Sequence, residues 1–222
     1  PASYTNYKFV GDAIKTHTFT ITVDPTKYSF EARVQSDTAL TNGQYYKDTN
    51  TNKEYYYFVS FVDALTKAQS GQTVEMLKDV TLTTAITSVT SGITINLCEN
   101  TLGSSSFASN VTDSGVYNRI FNCNNNESFT IKNGTLMNNA EQGVATFGGK
   151  INVIAEDIDF AVSVARNKDT YAQLACMETT LTIKGGSVSA GYVLSHSSAK
   201  KVVVYNNGDN KFRYLSESFY DW

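Results

Sequence analysis

The sequence predicts an all-β fold, a right-handed parallel β-helix (solenoid) of about five to six turns with an N-terminal cap of strands and a helix, on the strength of three observations. First, one short pattern of apolar and corner residues recurs: Ile95-Asn-Leu97-Cys-Glu-Asn100-Thr101-Leu102, Phe129-Thr-Ile131-Lys-Asn-Gly134-Thr135-Leu136, Ile151-Asn-Val153-Ile-Ala-Glu156-Asp157-Ile158 and Leu181-Thr-Ile183-Lys-Gly-Gly186-Ser187-Val188. Second, the copies and a partial fifth, Val202 to Gly208, start 34, 22, 30 and 21 residues apart. The shortest intervals read as bare circuits of a coil, and the longer ones as circuits carrying a loop. Third, a further apolar segment precedes each later copy: Tyr117 to Cys123, Val144 to Phe147, Leu174 to Cys176 and Tyr192 to Leu194. About three short strands per circuit around an apolar centre then stack about 4.8 Å apart. Leu102, Leu136, Ile158 and Val188 are expected in one row.

Within each copy the first apolar residues alternate as in a strand with one face buried. The Gly or Asn that follows supplies a corner, because these residues reach positive φ at least cost.

Residues 1–72 are assigned to N-terminal strands, a loop and a capping helix, 73–205 to the coil, and 206–222 to a C-terminal aromatic cap, all in one structural domain. Thr16 to Val23 and Tyr28 to Val34 alternate on either side of Asp24-Pro25-Thr26 and read as a hairpin or linked strand pair. Residues 36–54, rich in Thr and Asn with Asn42-Gly43, read as an exposed loop. After Tyr55-Tyr-Tyr-Phe58, apolar residues from Phe61 to Ala68 recur at helical spacing behind a Ser60 cap, and Gly71 ends the helix. The helix is placed to cover the open end of the coil, whose first turn would otherwise offer unpaired strand edges. Beyond Asn206, Phe212, Tyr214, Phe219, Tyr220 and Trp222 would close the other end.

Charged residues make up 18% of the chain and the net charge is −3, with no run of like charge, so nothing recruits nucleic acid or an anionic membrane electrostatically. No apolar run approaches the roughly 18 residues of a membrane span, so no insertion is expected. The chain opens on Pro-Ala-Ser, so an exported form would be seen here without its signal. The three cysteines lack metal or redox spacing and read as small apolar fillers of the core, with Cys123 and Cys176 two turns apart around Phe147. No metal and no cofactor is expected.

The run from Tyr55 to Leu102 resembles the opening of parallel β-helix domains in large surface proteins of Gram-positive and gut bacteria. The features in common are an aromatic strand, a short Ala-containing helix, Gly71-Gln-Thr-Val74, Leu77-Lys-Asp79 and Ser91-Gly-Ile-Thr-Ile95. Gln72 stands where the family usually has Asp, and Leu97-Cys-Glu-Asn100 where it often has Leu-Asn-Gly. The later turns resemble the pectin-lyase-like superfamily in general form. The resemblance implies the fold, export, and membership of a longer surface polypeptide.

Two long intervals place extra loops on the same side of the coil, so that Phe107, Asp113, Tyr117, Arg119, Arg166, Asn167, Asp169 and Tyr171 would line one shallow ligand-binding surface. The alternative is an acidic site at Glu156, Asp157 and Asp159, because β-helix lyases and glycosidases set carboxylates on adjacent turns as acid and base. Stacking the copies puts Thr101, Thr135 and Ser187 in the column of Asp157, and Asn100, Gly134 and Gly186 in that of Glu156, with no second carboxylate and no cation. His17 and His196 read as surface residues; His196 lies beside serines that point to the opposite face. The sequons at Asn110, Asn126 and Asn133 bear on function only in a eukaryotic source. The expected function is a non-catalytic, extracellular, adhesin-like module binding a glycan or a host or cell-surface protein. The rivals are a polysaccharide lyase or glycoside hydrolase and a purely structural stalk.

Overall fold

A computed structural model describes residues 29–48, 50–104, 119–138, 145–162, 172–177, 179–188, 192–195 and 201–205. Over these residues the chain is almost entirely strand with one short helix, and it winds into a parallel β-solenoid of about three turns. The segments linking several further strands, and with them the full five to six turns, lie outside the described residues, as do Thr16 to Val23, His17, His196 and 206–222.

Alternation of apolar and polar residues forms the first parallel ladder. It runs through β4 (Thr73–Met76), β6 (Thr94–Asn96), the first half of β9 (Ser128–Asn138), the first half of β11 (Asn152–Val162), β13 (Thr180–Lys184) and β16 (Lys201–Tyr205). Ile95, Ile131, Ala155 and Ile183 stand level on its inner side and are fully buried. A second ladder joins β5 (Val80–Leu82), β7 (Thr101–Ser104), the second halves of β9 and β11, and β14 (Ser187–Val188). The third side is a separate parallel sheet of β8 (Arg119–Asn122), β10 (Ala145–Gly148), β12 (Ala172–Met177) and β15 (Tyr192–Ser195). These last strands coincide with the apolar segments expected to precede each copy. Phe121 and Phe147 stack between the three sides with ring centres 5.6 Å apart, and Phe160 meets Phe147 edge-on.

The N-terminal end is built differently. β1 (Ala32–Gln35) pairs antiparallel with β4 on one edge and with β3 (Glu54–Phe58) on the other, and β3 pairs antiparallel with β2 (Gln44–Lys47). The stretch expected to be loop, 36–54, therefore contains a strand: Asp48 folds the chain back by accepting from the Asn50 amide at 2.8 Å, which lets Gln44 to Lys47 pair with Glu54 to Tyr57. The helix α1 (Phe61–Lys67) starts as expected, with the Ser60 hydroxyl accepting from the Asp63 amide at 3.3 Å and the Glu31 carboxylate accepting from the Phe61 amide at 2.9 Å. Phe61, Ala64 and Leu65 are buried in the same apolar cluster as the coil interior.

Two expectations about register need correction. The row through Leu102 and Leu136 continues with Phe160, not Ile158, to Val188, and Ile158 lies opposite Gly134. Likewise Ile95 stands level with Ile131, not Phe129. In a strand a shift of two residues leaves every side chain on the same face, so alternation alone does not separate the two alignments. Cys98 is exposed and not a core filler, because it sits in a corner at φ 51°. Cys123 is buried, but it is Phe121, not Cys123, that shares the row of Phe147 and Cys176.

Candidate functional site

The bend between the first two ladders gathers polar and acidic side chains around an open trough on the described coil. β9 and β11 pass through it without a break, each using a residue in the left-handed region: Asn133 at φ 55° and Asp157 at φ 52°. Gly185 and Gly186 do the same after β13, at 73° and 78°. Asn and Asp tolerate this conformation better than other non-glycine residues, which accounts for Asn133 and Asp157 without any catalytic role. One circuit earlier the bend is longer. Asn96 pairs with Lys132 and Thr101 with Thr135, so Leu97 to Asn100 occupy the place of Asn133 and Gly134, and Cys98 and Glu99 take the positive φ.

Side-chain amides tie these bends together. The Asn96 Oδ1 accepts from the Cys98 amide at 3.1 Å and from Asn133 Nδ2 at 3.2 Å on the next circuit. Asn100 Nδ2 donates to the Met76 carbonyl at 3.2 Å on the circuit before. Gly185 leaves room for the Asp157 carboxylate, since a Cβ there would collide with Asp157 Oδ1. The result is an open trough of about 590 Å³ lined by Asn96, Cys98, Glu99, Asn133, Gly134, Asp157 and Asp159. Partial desolvation of the thiol within an otherwise exposed residue, with the Glu75 charge next, raises Cys98 above its ordinary range.

The acidic trio separates into three columns. Glu156 lies between Lys132 and Lys184, and Lys184 Nζ donates to its Oε1 at 3.1 Å. Asp157 is level with Asn133 on one side and touches the space kept by Gly185 on the other. Asp159 lies between Thr135 and Ser187, whose hydroxyl donates to its Oδ1. The Thr and Ser column expected for Asp157 thus belongs to Asp159, and Glu156, expected to lack a cation, has one above and one below. The cause is again the shift of two residues in the third copy.

Sequence reading missed Glu99, which joins Asp157 and Asp159 on the trough, and missed Asn96 and Asn133. The Asn133-Gly134 pair, a strong signal for positive φ, marked the bend. Of the expected loop surface, Phe107, Asp113, Tyr117, Arg166, Asn167, Asp169 and Tyr171 lie outside the described residues; Arg119 opens β8. Among the described residues no three His, Cys, Asp or Glu side chains are grouped to hold a metal ion, and no helix is long and apolar enough to cross a membrane. Comparison of the chain with protein-family models, with curated proteins and with solved structures returns no match.

Proposed function

We propose that the chain is a non-catalytic module of an exported cell-surface protein, adhesin-like, which binds a glycan or a host or cell-surface protein in the extracellular space. The observation that carries the reading is the stacking around the carboxylates. Glycosidic cleavage by a carboxyl pair needs an acid and a base facing each other across a substrate. Here Glu156 is level with lysines, Asp157 with Asn133, and Asp159 with Thr135 and Ser187. Polar strand faces of this kind suit hydrogen bonding to sugars better than bond cleavage. In this reading the coil runs five to six turns as part of a longer surface polypeptide, with β1, β3 and α1 as its N-terminal cap, in the manner of pectin-lyase-like domains.

One observation favours a lyase or hydrolase instead: the trough gathers Glu99 with Asp157 and Asp159. The two readings separate in one experiment on the whole chain. On a panel of acidic and neutral polysaccharides the expected result is no new reducing or unsaturated ends, together with retention on a glycan and mucin array. Product formation that disappears in Asp157→Ala would overturn the adhesin reading, and absence of retention on the array would leave a structural stalk.

A further inference from the structure

Beside the bend, the described coil has a second regular surface, the outward side of the first ladder. Thr73, Thr94, Thr130, Ile154 and Thr182 stand level across β4, β6, β9, β11 and β13. Consecutive members repeat at the strand spacing of about 4.8 Å. Among the described residues none of these four hydroxyls has an intramolecular side-chain partner, and Ile154 is 36% exposed between two of them. A row of free hydroxyls with an aliphatic side chain set into it offers hydrogen bonds and an apolar contact in the same plane. A pyranose presents the same pair of surfaces, a rim of hydroxyls and a face of C–H groups.

The charges flanking this row decide which glycan fits. The neighbouring column reads Arg33, Glu75, Asn96, Lys132, Glu156, Lys184. Arg33 pairs with Glu75 at 2.6 Å and Lys184 with Glu156 at 3.1 Å, so among the described residues Lys132 is the one charged member of the column without an ion pair. A surface whose charges are mostly paired within itself exerts little field on a polyanion. The adjoining bend adds the carboxylates of Glu99 and Asp157, which repel one.

We propose that this outward side holds a neutral, extended polysaccharide along the coil axis, its hydroxyls on the threonine row and a ring face on Ile154. The inference rests on the adhesin-like reading and moves the contact surface from the long loops to the strands. Each contact is weak, and affinity comes from repetition along the row.

The test compares the whole chain with the triple variant Thr94→Val, Thr130→Val, Thr182→Val and with Ile154→Glu, using soluble β-glucan as the neutral probe and polygalacturonate as the acidic one. Valine keeps the shape and strand preference of threonine, and thermal unfolding checks that each variant folds. The expected result is binding of β-glucan by the wild type, weakened about tenfold in both variants, and unchanged by Lys67→Ala on α1. Wild-type binding that both variants retain would leave the glycan reading standing and refute this surface. Failure of the wild type to bind any polysaccharide removes the glycan reading and the inference together. Preference for polygalacturonate overturns the charge reasoning, and binding to mucin that survives periodate oxidation of its sugars assigns the contact to protein and overturns the proposal.

Discussion

Two of the coil's three sides share one continuous sheet with the antiparallel ribbon at its N-terminal end, yet coil and ribbon organise their side chains by different rules. In the coil each residue meets its own counterpart from the next circuit, so columns of similar side chains form: isoleucines inside, threonines outside, Asn or Asp at the bend. Between β1 and β3 of the ribbon, unlike residues meet across the strands: Arg33 against Tyr57, and Gln35 against Tyr55. Stability in the coil is therefore concentrated in one buried stack, whereas the ribbon divides it between buried Ala32, Val34 and Phe58 on one face and, on the other, a Phe30, Tyr55 and Tyr57 cluster beside the one-third-exposed Arg33–Glu75 pair, and perturbations should differ in size accordingly.

The largest effect should come from the interior. Phe147 is fully buried, stacked on Phe121 and edge-on to Phe160, so Phe147→Ala removes the shared partner of two rings on different sides of the coil. A loss of about 3–5 kcal/mol is expected in chemical denaturation. A loss below about 1 kcal/mol would mean that the three sides do not share one core.

Next comes the bend. Gly186 has φ 78°, and a Cβ added there would meet the Ile158 backbone nitrogen at 2.5 Å and its carbonyl carbon at 2.6 Å. Both the conformation and the space exclude a side chain, so Gly186→Ala should cost about 2–3 kcal/mol in the same measurement. Tolerance of alanine would show that adjacent circuits at this bend stand further apart than the pairing of Ser187 with Asp159 requires.

Legibility in the sequence follows the same division. Period-two alternation marked the inward residues of the coil, and the Gly and Asn bends marked where each circuit turns. The pairing of circuits was less legible, because Ile151 and Val153, or Ile158 and Phe160, satisfy the pattern equally well and only the hydrogen-bonded ladder selects the second of each pair. That slip of two residues hid the lysines beside Glu156 and the trough that Glu99 shares with Asp157. In the ribbon, Gln44 and Lys47 give β2 the polar character of a loop, which an edge strand tolerates.

A smaller effect is expected in the ribbon itself. Burial alone would lower the Arg33 pKa, but hydrogen bonds to Tyr57 and Glu75 outweigh it and hold the guanidinium charged. Its Cζ also lies 4.4 Å from the centre of the Tyr55 ring. Both members of the ion pair are about one-third exposed, so solvent screens it, and Arg33→Ala should cost about 1 kcal/mol. A loss as large as that of Phe147→Ala would erase the contrast between ribbon and coil.

The smallest effect lies at the ribbon's tip and is visible through pH. The Thr51 hydroxyl donates to Asp48 Oδ2 at 2.8 Å and the Asn50 amide to its Oδ1 at 2.8 Å, and these bonds hold the Asp48 carboxyl below its ordinary range. A carboxylate with a depressed folded pKa stabilises the fold at pH values above its unfolded pKa, and that contribution is lost as pH falls through the folded value. Amide exchange at Asn50 and Thr51 should therefore quicken relative to the coil between the unfolded and folded pKa of Asp48 and below. Asp48→Asn, which keeps an acceptor but no charge, should remove that pH dependence while leaving the exchange of Ile131 and Ile183 unchanged. Equal quickening at Ile131 would mean that the ribbon's tip and the coil open as one unit.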